Sequence, residues 1–222
     1  MADRKRCCTD ENMVVEPGGD AFNHTLRVVD ALPADKPQLR LAGLLHDVGK
    51  LKTACMGEDN ELHFYQHEKV GAEMVNVIAD RFKMSNELRE YLTFLVANHM
   101  FPMGKGLTKA AVKRFMQRCP YYRDVAELRL ADKKGNLVFS ACNEVHEGVH
   151  EFLRFVEEIE AENAALKVTD LEVNGHDLMV LGMKPGPEMG RVLRELLDLV
   201  VDEALENDRE TLLDYVRRNY EF

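Results

Sequence analysis

Apolar residues along this chain recur mostly at three- and four-residue spacing, which predicts helices. From Ala21 to Leu32, Phe22, Leu26 and Val29 fall on one face, with Asp20 placed as the cap. Pro33 and Pro37 mark a connection. The string LRLAGLLHDVGKLK then gives an apolar body to a second helix, Gln38–Lys52. Gly57–Asn60 predicts a turn at the tip of a small hairpin that ends at His63-Phe64-Tyr65. Further helices are predicted from about Gln66 to Phe82 and from Glu87 to His99, the latter preceded by Ser85 and Asn86. Thr108 is placed as the cap of a helix to about Cys119. Pro120 breaks that helix, and another follows from about Arg123 through Asn136 and beyond. Val149, Phe152, Val156 and Ile159 carry helical spacing on to about Leu166. VTDLEVNGHDL reads as a linker, and Gly182, Pro185, Gly186 and Pro187 break the last helical piece in two. Few segments alternate as strands do, so the expected class is all-α.

Composition narrows the options. The chain has 222 residues and a net charge of −10, a size for one domain with a small appendage. Its 45% hydrophobic and 31% charged residues suit a globular protein. No apolar run approaches the ~18 residues of a membrane helix. MADRKRCCTDENM has no apolar core behind its basic residues and does not read as a signal peptide. The acidic balance argues against coating nucleic acid non-specifically. Five cysteines, with only the adjacent pair Cys7-Cys8 close together, suggest no disulfide framework. The expected compartment is the cytoplasm.

The histidines carry the chemistry. His46 and Asp47 stand side by side within an apolar helix, where an imidazole and a carboxylate are costly unless paired or ligated. Adjacent helix positions differ by about 100° in direction, so the two do not point alike, yet a cation lying over the helix can touch both. Lys50 follows on the same face and can hold an anion such as phosphate. His24 lies on the preceding helix, His67 starts a later one, His99 ends another and Asp132 lies on a fifth. Imidazoles with carboxylates suit Mn, Fe, Co, Ni, Zn or Mg.

The order His24, His46-Asp47, His67, His99, Asp132 resembles the H…HD…H…H…D arrangement of HD-domain metal-dependent phosphohydrolases. GDAFNHTLRVVDAL, LAGLLHDVGK, HFYQHEKVGAEM, LVANHM and RLADKKGN resemble the HD region of bacterial tRNA nucleotidyltransferases, the CCA-adding enzymes. GHDLMVLGMKPGPEMGRVLRELLDLVVDEALENDRETLL is similar to the tail that follows it there. The resemblance runs from about Pro17 to Leu213, leaving about 16 residues before it and no nucleotidyltransferase head, so CCA addition is not expected. It implies an HD-domain helical bundle over 16–166, after a flexible tail over 1–15 and before a helical C-terminal appendage over 167–222.

The resemblance also implies a ligand set. His24, His46, Asp47 and Asp132 match the ligands of a first metal. His67 and His99, sharing Asp47, match those of a second. His63 competes with His67, but His67 has the following Glu68 and Gly71-Ala72 that the family motif requires. The expected function is therefore a metal-dependent phosphohydrolase acting on a nucleotide or other phosphate ester. It would use one or two divalent ions, with Asp47 as bridge and Lys50 steadying the phosphate. The alternatives are an HD-fold di-iron oxygenase and a non-catalytic RNA- or tRNA-binding module.

Other signals compete less well. His146-Glu147-Gly148-Val149-His150 fits the HExxH protease pattern, but Gly148 weakens that helix and nothing singles out a third ligand. Gly18–Phe22 is one letter from GGDEF, whose α/β fold is not predicted here. The glycines and prolines around Pro185 loosely resemble a helix-hairpin-helix. From Lys105 to Lys134, nine basic residues stand against three acidic ones, a local charge of +6 against −16 for the rest. Such a stretch is a candidate contact for RNA or a nucleotide.

Overall fold

Local caps and turn residues set the helix boundaries. The computed structural model describes residues 21–57, 60–104, 106–136, 142–162 and 164–220. Pro37, whose missing N–H is harmless at a helix start, opens α2 (Pro37–Leu45) after α1 (Ala21–Ala31). The single helix expected over Gln38–Lys52 is instead α2, a turn at 46–49, and the short α3 (Lys50–Thr53). A two-stranded antiparallel hairpin follows, β1 (Ala54–Met56) and β2 (Leu62–Phe64), in the register Ala54 with Phe64 and Cys55 with His63. Then come α4 (His67–Arg81) and α5 (Asn86–Asn98), where the Ser85 hydroxyl accepts from the Leu88 N–H at 3.2 Å. Thr108 caps α6 (Lys109–Arg118) in the same way. The chain continues through α7 (Tyr122–Gly135) and α8 (Cys142–Ala161). The expected linker holds a 3-10 turn, Val168–Asp170, and the start of α9 (Gly175–Val180). There Asn174 and Asp177 satisfy each other's backbone N–H groups. α10 (Pro187–Val201) and α11 (Arg209–Asn219) complete an all-α protein.

The chain forms two compact units. One comprises Met1–Lys105 and Tyr121–Glu151, the other Gly106–Pro120 and Phe152–Phe222. In the first, α4 lies along α5, and α1 packs on α2 and α7. Its core includes Val28, Leu39, Val75, Leu92, Leu95 and Leu128, all fully buried. In the second, Leu178, Leu196, Leu212 and Val216 join a separate buried cluster. Among the described residues, no helix is long and apolar enough to cross a membrane. The expected tail over 1–15, Cys7, Cys8 and the Asp20 cap lie outside the described residues.

Candidate functional site

The site starts from the break after α2. The Val48 N–H donates to the Leu45 carbonyl at 3.1 Å, and the Lys50 N–H to the Asp47 carbonyl at 2.9 Å. These three-residue turns end the helix where a regular helix would have separated His46 and Asp47. Gly49 makes the turn possible, because a Cβ there would lie 2.0 Å from the His67 carbonyl oxygen. The backbone of the turn thus sits directly on the start of α4.

All six expected residues of the first unit meet around Asp47. Its Oδ2 lies 3.2 Å from His46 Nε2, 3.7 Å from His24 Nε2 and 2.8 Å from Lys50 Nζ. Its Oδ1 lies 3.4 Å from His67 Nε2 and 3.8 Å from His99 Nε2. Asp132 Oδ1 closes the first side, 3.3 Å from His24 Nε2 and 3.7 Å from His46 Nε2. Two sets of donors therefore share one carboxylate, each set lying within 4.8 Å: His24, His46 and Asp47, and Asp47, His67 and His99. His63 is not in either set; it stands on β2, stacked on Tyr65.

Backbone contacts orient three of the rings. His46 Nδ1 faces the Gly43 carbonyl at 2.8 Å, His67 Nδ1 that of Phe64 at 2.9 Å and His99 Nδ1 that of Val96 at 2.7 Å. Each Nδ1 thus carries a proton for donation, which leaves Nε2 as the inward-facing donor atom. Yet Nε2 of His67 and Nε2 of His99 lie 3.2 Å apart, and those of His24 and His46 3.4 Å apart. Two facing lone pairs repel unless a proton or a cation lies against them. His24 Nδ1 is buried without a hydrogen-bond partner.

The electrostatics are those of a cluster competing for protons. Burial opposes charge on His46, but Asp132 and Asp47 outweigh it and lift the pKa to about 9. Burial, with His46 alongside, pushes His99 down to about 4. The Asp47 carboxylate raises the pKa of His67 despite some burial. Burial opposes ionisation of Asp47 and Asp132 as well, yet their histidine hydrogen bonds hold both below the ordinary carboxylate range. A cation entering here must displace protons from nitrogen, so its binding is proton-linked.

Two cations brace the carboxylates from outside. Lys50 holds Asp47 and lies 5.4 Å from the Phe64 ring centre. Arg129, one helical turn before Asp132, places Nη1 3.3 Å from Asp132 Oδ2 and 3.1 Å from Met100 Sδ. In the sequence Arg129 falls within the basic stretch, and its i,i+3 spacing to Asp132 is the signal of this pair.

That stretch is divided between the two units. Its first part belongs to the second unit and its last part to the first. On α6, Lys109 binds Glu162 at 2.6 Å, Lys113 binds Glu203 at 2.7 Å and Arg114 binds Asp202 at 2.6 Å. These cations are engaged by carboxylates. Lys105 lies outside the described residues, as does the side chain of His146. Glu147 and His150 of the HExxH string are exposed, and Gly148 packs against the Met103 backbone, where a Cβ would lie 2.3 Å from the carbonyl oxygen.

Fold and site together define an all-α protein with a buried histidine–aspartate cluster of metal-binding composition. Residues 66–216 match the family described as tRNA nucleotidyltransferase domain 2, and the chain belongs to that family. The A-adding tRNA nucleotidyltransferase of Deinococcus radiodurans is 31% identical over 192 residues, covering 81% of this chain and 42% of that protein. The CC-adding tRNA nucleotidyltransferase of Thermus thermophilus is 30% identical over 184 residues, covering 80% and 40%. A CCA-adding enzyme of Streptococcus pyogenes is 25% identical over 193 residues, covering 85% and 42%. The chain spans about two-fifths of the length of these curated relatives. They overturn the expected HD-type phosphohydrolase: they are named as nucleotide-adding tRNA enzymes, and the chain matches a tRNA nucleotidyltransferase domain.

Proposed function

We propose that this chain binds tRNA, and that its histidine–aspartate cluster, in HD-domain arrangement, holds one or two divalent cations as a structural centre. The RNA-binding reading is carried by the match of residues 66–216 to a tRNA nucleotidyltransferase domain. The metal reading is supported by the paired Nε2 atoms, whose Nδ1 groups are committed to carbonyls at His46, His67 and His99. His24, His46, Asp47 and Asp132 would hold a first ion, and Asp47, His67 and His99 a second. The donor set suits Mn, Fe, Co, Ni, Zn or Mg. Bound there, an ion supplies positive charge between two carboxylates and ties α1, α4, α5 and α7 to the turn after α2. Lys50 and Arg129 hold Asp47 and Asp132 in place. No feature specifically favours an oxygenase over this reading.

The test joins metal content, thermal unfolding and RNA competition. Wild type should carry one or two equivalents of metal and lose thermal stability in EDTA. His46→Ala and Asp47→Ala should carry far less metal and respond little to EDTA. Unlabelled tRNA should displace labelled tRNA, while duplex DNA of equal length should not. Variants that keep wild-type metal content contradict the centre; equal competition by DNA contradicts tRNA recognition.

A further inference from the structure

Three α6 cations, Lys109, Lys113 and Arg114, are engaged by carboxylates, which leaves room for a second RNA-facing surface. The hairpin supplies one. His63 stands on β2 and Tyr65 in the turn just after it, and their rings stack with centroids 5.2 Å apart and planes 10° from parallel. Among the described residues, the other aromatic ring pairs are tilted or edge-on. Tyr65 is 65% exposed, and Leu51 on the adjoining α3 is 71% exposed. Core packing therefore explains neither side chain. The backbone enforces this placement. Gln66 is in the left-handed region, φ 58°, which turns the chain sharply into α4 and leaves Tyr65 outside the helix.

Cations lie at this end of the hairpin. Lys50 lies against the Phe64 ring. Lys69 is exposed on the first turn of α4. Glu61 lies at the other end, its carbonyl accepting from the Gly57 N–H across the turn.

We infer that His63 and Tyr65 form a stacking platform for an unpaired base of single-stranded RNA, with Lys69 receiving an adjoining phosphate. The inference rests on the RNA-binding reading above. Every base offers a π-face, so an exposed ring already supported from beneath binds bases with little ordering of its own. Single-stranded RNA segments are commonly read by aromatic stacking of this kind.

The probe is a short single-stranded oligoribonucleotide carrying one 2-aminopurine, whose fluorescence falls on stacking. Wild type should bind and quench it. Tyr65→Ala should abolish the quench and weaken binding about tenfold, while Tyr65→Phe should keep both. Lys69→Ala should leave the quench but flatten the salt dependence by about one phosphate contact. Metal content should match wild type in all three variants. Wild-type quenching and affinity in Tyr65→Ala overturn the platform alone. A wild type that binds tRNA in the competition above but no oligonucleotide overturns the platform alone, and one that binds neither overturns the RNA-binding reading as well.

Discussion

Asp47 is the residue on which the candidate site turns. Its two oxygens face two different sets of imidazoles, so one carboxylate joins both halves of the cluster. In metal-free protein the same carboxylate, with Asp132, holds a proton on His46. The folded pKa of His46, about 9, stands above its ordinary 6.5. The resulting stability is fully present below pH 6.5 and is lost as pH rises through 9. In EDTA, the advantage of wild type over His46→Gln in urea unfolding should shrink by about 3 kcal/mol between those limits. A difference that stays constant with pH would remove the charged His46 from the account. His46 and Asp47 were legible in the sequence because they interrupt an apolar helical run, where such groups demand a partner, while His24, His67, His99 and Asp132 joined them through the resemblance to the HD order. The contact of Arg129 with Met100 was not legible, since a contact between separate helices leaves no trace in local spacing.

Among the elements, the turn at 46–49 departs furthest from the periodicity. LRLAGLLHDVGKLK keeps a helical pattern throughout, and nothing local forbids one long helix. The break belongs to tertiary packing, with Gly49 set against the His67 carbonyl. Gly49→Ala should therefore push the turn off α4, destabilise the protein by about 1–3 kcal/mol and lower its bound metal. Unchanged metal content in the folded variant would separate the turn from the cluster. In the second unit, Leu196 is fully buried on α10. Leu196→Ala should cost about 2–5 kcal/mol in that unit and leave metal content intact, read by denaturation alongside metal analysis. The helices themselves were legible because apolar spacing and the Ser85, Thr108 and Pro37 signals agree. The hairpin was legible from its turn, but the parallel stacking of His63 on Tyr65 depends on side-chain rotamers that spacing does not specify.

At the scale of the whole molecule, charge is organised by contacts between distant segments. The +6 of Lys105–Lys134 suggested a basic rim, yet α6 meets its carboxylates about 50 and 90 residues further on. Such pairings have no signature in the linear sequence, and neither does the grouping of Gly106–Pro120 with residues from Phe152 onward. RNA affinity should therefore respond more to the exposed Lys69 than to Lys113, whose ammonium is buried against Glu203. The family match makes tRNA binding the central claim, and its electrostatic part follows directly from phosphate contacts. The most direct test is the equilibrium affinity of the wild-type chain for tRNA across a series of salt concentrations. The expected result is binding at low salt and a linear fall of log affinity with log salt, with a slope of about −2 or steeper. No binding at low salt, or an affinity indifferent to salt, would contradict it.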